Sequence, residues 1–124
     1  MYNIQVVDMK ELVDDIIRAV QVDANILVFV NDDGERTAVR DAIFGWFDSH
    51  NIGCDIKTDE MLRWSKYNMQ LKVAPLNDAQ TCGVSPSHVF MVNITPHGGD
   101  KDLIDDLAPV LSYYGGRMSY LKLV

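Results

Sequence analysis

The distribution of apolar positions predicts two buried strands near the middle of the chain. Residues 26–30 are apolar without interruption, and residues 89–94 are apolar apart from Asn93. Runs rich in β-branched residues are typical of strands buried on both faces of a sheet. We expect these two strands to be neighbours and the segment 25–50, which contains the first, to organise the rest of the fold.

Apolar residues at helical spacing follow two predicted strands, so we predict a helix after each. Both helices begin with the same pattern, an aspartate followed three residues later by a glutamate. Asp32 and Asp8 are suited to accept from free backbone N–H groups, while Glu35 and Glu11, three positions later, can reach back, which is a capping box. The apolar positions behind them lie on one side of each helix. They are Ala38, Val39, Ala42, Ile43, Trp46 and Phe47 after Asp32, and Leu12, Val13, Ile16, Ile17 and Val20 after Asp8.

The remaining segments complete a sheet. Residues 2–7 predict a short strand, residues 54–73 two antiparallel strands joined by a loop, and residues 118–124 a final strand near an edge. Residues 61–64 are ambiguous between strand and turn. Residues 74–87, with two prolines and no periodicity, predict a surface loop, either a binding element or a mobile segment. A third helix, capped by Asp100 and interrupted by Pro109, is predicted from Leu103, Ile104, Leu107, Ala108, Val110 and Leu111.

The order is therefore roughly βαβαβββαβ. This predicts a single α/β domain over residues 1–124, with a mixed sheet of about five to six strands and about three packed helices. If the two buried strands are parallel, the turns after both of them meet at one edge of the sheet. Open α/β sheets usually bind ligands at that edge.

The stretch ILVFVNDDGERTAVRDAIFGWFDSHNI resembles the strand–helix opening of the second RecA-like domain of helicases. The resemblance implies a parallel α/β unit. It covers under a quarter of the chain, and no arginine-finger motif, downstream threonine-glycine motif or Walker lysine accompanies it, so it implies no ATPase activity.

Composition narrows the classes of function. With 124 residues and 48% hydrophobic residues, the chain can bury a core as one domain. Its 18 acidic and 11 basic residues give a net charge of −7, which argues against direct nucleic-acid binding and favours either simple solubility or a partner with a basic surface. Two cysteines, no membrane-length apolar stretch and no signal-peptide pattern predict a cytoplasmic protein that does not bind a membrane.

Polar residues after the two buried strands form one candidate ligand site. They are Asn31, Asp32, Asp33, Asn93, Thr95, His97 and Asp100. Carboxylates there could hold Mg²⁺ and His97 could transfer a proton, but caps and turns explain the same residues without a ligand. The glycine pair before Asp100 lacks a nucleotide-binding motif, the histidines and cysteines lack zinc spacing, and no nucleophile motif is present. We therefore predict no catalytic residue, metal or cofactor.

A second set of residues suggests a protein interface, because aromatic residues and arginine are enriched at interface centres and acidic helix faces attract basic surfaces. The candidates are Arg63, Trp64, Tyr67, Tyr113, Tyr114, Asp14, Asp15, Asp102, Asp105 and Asp106. Core packing explains part of the aromatic group equally well.

These features together predict a small acidic, non-catalytic regulator or inhibitor that binds another macromolecule. Small acidic inhibitors, including mimics of nucleic acid, are frequent among virus-encoded proteins, which is an analogy only. Such a regulator could also self-associate through its final strand or its aromatic patches. The alternatives are a small enzyme or ligand-binding domain in which Asp32, Asp33 and His97 converge, or a structural subunit.

Overall fold

The computed structural model describes residues 4–75, 87–93 and 117–124. The strands are β1 (Ile4–Val7), β2 (Asn25–Val30), β3 (Ile56–Lys57), β4 (Met61–Trp64), β5 (Met69–Pro75), β6 (His88–Val92) and β7 (Arg117–Leu123). The helices are α1 (Met9–Ala19), α2 (Asp33–Ser49) and a 3₁₀ turn over Ser65–Tyr67.

The seven strands among the described residues form one mixed sheet in the order β1-β7-β6-β2-β5-β4-β3. The first five strands in this order (β1, β7, β6, β2 and β5) all run in the same direction, whereas β4 is antiparallel to both β5 and β3. The predicted α/β class with a mixed sheet is confirmed. The two apolar runs also pair as predicted, with β2 and β6 parallel and in register from Ile26 opposite His88 to Phe29 opposite Met91.

The details of the sheet differ from the sequence prediction in three places. The sheet has seven strands instead of five to six, because the ambiguous residues 61–64 form β4. The predicted strand beginning at residue 54 is reduced to Ile56–Lys57, and β5 extends through Pro75 into the predicted loop. The final strand lies near an edge as predicted, because β7 is next to the edge strand β1. Since β7 is paired on both sides, with β1 and with β6, it cannot self-associate by strand pairing. The third predicted helix and residues 76–86 of the predicted loop lie outside the described residues.

Both described helices pack against the same face of the sheet. Leu12, Val13 and Ile16 of α1 and Val39, Ile43 and Phe47 of α2 are buried in one cluster with apolar residues of the sheet. The predicted helical stripes are thus largely confirmed, although Ala38 is exposed. Burial of each large aliphatic or aromatic side chain contributes about 1.5–3 kcal/mol, which fixes α2 above β2 and β5.

The opposite face of the central strands is also buried. Leu27 and Phe29 of β2 and Val89 and Met91 of β6 are each at most 3% exposed. This agrees with the two-faced burial that the uninterrupted apolar runs predict. Among the residues that the structure describes, no helix is long and apolar enough to cross a membrane.

Candidate functional site

Two asparagines lie side by side where the central strands end. Asn31 directly follows β2, and Asn93 directly follows β6. The Nδ2 of Asn31 donates a hydrogen bond of 2.7 Å to the carbonyl oxygen of Asn93. Asn93 has a left-handed backbone with φ of 57°, a conformation that asparagine tolerates better than most residues, so the chain turns at this point.

The carboxylate of Glu35, in the first turn of α2, joins the two asparagines. One oxygen accepts from the backbone N–H of Asn31 at 2.8 Å, and the other accepts from the side-chain amide of Asn93. The side-chain oxygen of Asn93 accepts from the backbone N–H of Leu123 at 2.7 Å, which connects the cluster to β7. We call Asn31, Asp32, Glu35 and Asn93 the strand-end cluster.

Asp32 caps α2 as predicted, because its Oδ1 accepts from the backbone N–H of Glu35 at 2.8 Å. The predicted return bond from Glu35 to the N–H of Asp32 is not the one formed, because the Glu35 carboxylate is directed to Asn31 and Asn93 instead. Asp33 points away from the cluster. It pairs with Arg36 at 3.3 Å and its side chain is 77% exposed.

The cluster contains only part of the predicted ligand site. It brings together Asn31, Asp32 and Asn93, while Thr95, His97 and Asp100 lie outside the described residues. The convergence of Asp32, Asp33 and His97 therefore stays a prediction. Within residues 4–75, 87–93 and 117–124, no group of three histidine, cysteine or acidic side chains is arranged to hold a metal ion.

Sequence reasoning assigned Glu35 only a local capping role and so missed its place in the cluster. A signal for the cluster exists, because VFVNDDGE and VFMVNITPHGGD both place an asparagine directly after a buried strand. Parallel pairing of the two strands brings both asparagines to the same edge. The arrangement can hold together two strand ends, one helix start and β7.

The two aspartates predicted for a partner-binding face of α1 are half-buried. Asp15 forms an ion pair with Arg18 at 3.0 Å, and its side chain is 21% exposed. Asp14 lies instead in the wall of a groove between the two helices. Asp102, Asp105 and Asp106 lie outside the described residues.

The aromatic and arginine candidates near β4 do not form one patch. Arg63 donates to Oε1 of Gln70 at 3.1 Å on one face of the sheet. Trp64 is on the other face, is 2% exposed, and packs 4.4 Å from the ring of Phe47, so it belongs to the core. Tyr67 remains 41% exposed. Tyr113 and Tyr114 are not among the described residues.

The groove between α1 and α2 has a volume of about 460 Å³. It is lined by Met9, Lys10, Val13, Asp14, Ala42, Gly45, Trp46 and Ser49. A Cβ atom added to Gly45 would meet nothing within 4 Å, so the groove is open at this point. Sequence analysis assigned Ala42 and Trp46 to the core stripe. A glycine beside a tryptophan on a predicted helix face was the available signal for an open surface.

A second pocket, of about 340 Å³, lies beside the 3₁₀ turn and includes Ile52, Asp55 and Tyr67. Oδ1 of Asp55 accepts from the backbone N–H of Ser65 at 2.8 Å, and this bonding to Ser65 lowers the pKa of the Asp55 carboxyl. Next to it, partial burial raises the pKa of the Cys54 thiol, which makes this cysteine a poor nucleophile at neutral pH.

The described residues thus present a satisfied polar cluster at the strand ends and an open, partly apolar groove on the helical layer. These two features differ in accessibility, because the polar groups of the first are bonded to each other and the second is open at Gly45. In comparison with known proteins, no family model, curated protein or solved structure matches this chain significantly.

Proposed function

We propose that this protein is a non-catalytic regulator or inhibitor that binds another protein, and that the groove between α1 and α2 receives a basic amphipathic helix of that partner. The observation that carries the proposal is the open groove itself, with its apolar floor and unfilled space beside Gly45. Amphipathic helices commonly bind in such grooves through apolar side chains spaced three or four residues apart.

Trp46 is the expected centre of the interface. Its ring is half-buried, meets Phe47 edge-on with centroids 5.1 Å apart, and stacks on His50 at 3.9 Å. These contacts restrain the ring before a partner arrives, so little side-chain entropy would be lost on binding. Tryptophan is also among the residues most enriched at energetically dominant positions of interfaces.

The charge around the groove favours a basic partner. Asp14 contributes from α1, and the exposed Asp48 lies on α2 within one turn of Gly45. Lys10 is the cation in the groove lining, while Arg40 is already paired with Asp41 at 2.9 Å. With a net charge of −7 on the whole chain, long-range attraction should accelerate association with a basic segment.

The strand-end cluster supports a structural role for those residues more than catalysis. Both oxygens of the Glu35 carboxylate accept hydrogen bonds, and the Asn93 side chain uses its amide nitrogen and its oxygen. A ligand there would have to break bonds that join β2, β6, β7 and α2. The free, half-buried thiol of Cys54 is compatible with a reducing cytoplasm, where we place the proposed activity.

The proposal can be tested with a helical peptide of leucine and lysine and a matched peptide of leucine and glutamate. We expect the basic peptide to shift the NMR signals of Met9, Val13 and Trp46, and its affinity to fall as salt is raised. Equal binding of both peptides, or binding that is unaffected by salt, would contradict the proposed basic partner.

Two variants locate the binding surface. Gly45→Leu fills the groove at a position with free space and should lower peptide affinity at least about tenfold, equivalent to about 1.4 kcal/mol. Thr37→Leu adds a leucine at an exposed position of α2 that does not line the groove and should leave affinity unchanged. If both variants bind like the unmodified protein, the groove is not the site.

A further inference from the structure

The two edges of the sheet differ in how well they are protected from pairing with another strand. The edge strand β3 has only two residues, includes Lys57, and is flanked by Asp55 and Asp59. Short length and charge are common ways to prevent edge pairing. The opposite edge strand, β1, is IQVV, which has no charged residue, proline or glycine.

The side chains on one face of β1 are also apolar and accessible to solvent. Ile4 is 44% exposed and Val6 is 58% exposed, and both lie on the same face because they are two residues apart in a strand. The carbonyl of Val7 accepts from the N–H of Val124 at 2.9 Å, on the β7 side. Backbone groups alternate in direction along a strand, so those of Ile4 and Val6 point to the free edge.

We propose that β1 pairs in antiparallel fashion with β1 of a second copy of this chain, about a two-fold axis through Gln5. This register places Ile4 of each copy opposite Val6 of the other, in the hydrogen-bonded positions that their outward backbone groups require. It also places the two exposed β-branched side chains against each other across the strands, which is a favourable pairing.

The partner is a second copy because the edge is complementary to itself in this register. The pattern of β-branched residue, glutamine, β-branched residue reads the same in both directions, as an isologous two-fold contact needs. The acidic residues behind the net charge of −7 do not repel the two copies at the contact itself. Strand β1 is uncharged, and the residue of β7 in register with Val6 is Lys122. The two sheets would become one continuous sheet.

A cysteine crosslink tests the register directly. In the 124-residue chain with Cys54→Ser and Cys82→Ser, Gln5→Cys places two thiols at a non-hydrogen-bonded pair, with Cα atoms about 4.5 Å apart, which suits a disulfide. Ile4→Cys places its two copies diagonally, about 7–8 Å apart, which does not. We expect mild oxidation to give covalent dimer with Gln5→Cys and at most about a tenth as much with Ile4→Cys.

Sedimentation over a dilution series provides the second test. The unmodified chain should show reversible dimerisation, which Val6→Lys abolishes by placing two lysines in the contact. Val22→Lys is the matched control, because Val22 is 63% exposed but lies in the link between α1 and β2, and it should dimerise normally. Circular dichroism confirms folding of each variant. A monomer at all concentrations, equal crosslinking at positions 4 and 5, or dimerisation that survives Val6→Lys would overturn the proposal.

Discussion

The starts of α1 and α2 have the same sequence pattern and use it differently. Asp8 and Glu11 form the reciprocal capping box. The Asp8 side chain accepts from the N–H of Glu11 at 2.8 Å, and the Glu11 side chain accepts from the N–H of Asp8 at 3.4 Å. Asp32 makes the same bond to the N–H of Glu35, but Glu35 bonds to Asn31 and Asn93 instead of to Asp32. The local pattern therefore determines the cap, while the tertiary neighbour determines the direction of the glutamate.

The difference follows from the position of the preceding strand. The strand before α1 is β1, at the edge of the sheet, whereas the strand before α2 is β2, which has β6 beside it. Parallel pairing with β6 delivers the amide of Asn93 to Glu35. Both kinds of bond are accepted by a carboxylate, but the bond to Asn93 is partly buried, where water competes less with it than at the exposed start of α1.

Removal of the Asn93 side chain should have the largest effect. Asn93→Ala loses the bonds to Glu35 and Leu123 and puts alanine at a φ of 57°, so we expect a loss of about 3 kcal/mol in the free energy of unfolding. Asn51→Ala is the control, since Asn51 has nearly the same φ of 58° at an exposed position after α2, and should cost about 1 kcal/mol. Urea denaturation measures both. Equal losses would mean that the Asn93 bonds add nothing.

The two glutamates provide the next comparison. Glu35→Ala leaves the side-chain amide of the half-buried Asn93 without its acceptor and should cost about 2 kcal/mol. Glu11→Ala removes an exposed 3.4 Å bond and should cost about 0.5 kcal/mol. The same denaturation experiment separates them, and a larger loss for Glu11→Ala would reverse the comparison.

The two aspartate caps should behave alike, because each accepts one N–H bond of 2.8 Å at an exposed helix start. Asp8→Ala and Asp32→Ala should each cost about 1 kcal/mol. Thermal melting of the two variants checks this expectation. If one variant lost twice as much as the other, the caps would not be equivalent and the glutamates alone could not explain the difference between the helix starts.

A smaller effect is expected from Asp55, which accepts from Ser65 ten residues away and has no reciprocal glutamate. Its pKa is lowered in the folded protein, so its contribution to stability is present above its unfolded pKa of about 3.9 and is lost as the pH falls through the folded value. The melting temperature should therefore fall more steeply below about pH 4 in the unmodified protein than in Asp55→Asn.

Asp48→Asn, which removes an exposed carboxylate from α2, controls for the change in net charge. Identical melting curves for the unmodified protein and Asp55→Asn across this pH range would show that the Ser65 bond does not stabilise the fold.

The sequence predicted those features that depend on local chemistry or strong burial. The apolar runs at 26–30 and 89–94 identified the central strands, and Asp8 and Asp32 identified the helix starts. Strand β4 was ambiguous because the sequence MLRW is only four residues long and does not alternate between apolar and polar residues, although its burial does alternate in the structure. The position of β7 was predicted only as near an edge, because its pairing with β1 joins the two ends of the chain and no local pattern indicates it.

The candidate site was predicted in part for the same reason. Asn31, Asp32 and Asn93 follow from strand ends that can be recognised in the sequence. The role of Glu35 depends on a contact with Asn93, 58 residues away, and no local pattern encodes it. The groove depends on the spacing between α1 and α2, which helical periodicity does not determine.

We claim that Glu35 and Asn93 act as one unit that joins α2 to β6, and a double-mutant cycle measures their coupling. Glu35→Ala and Asn93→Gly are measured singly and together, glycine being chosen because it accepts the left-handed backbone of Asn93. We predict that the two losses are not additive, with a coupling free energy of about 1–2 kcal/mol. Losses that add within about 0.3 kcal/mol would contradict the claim, since they would show that the two side chains act independently.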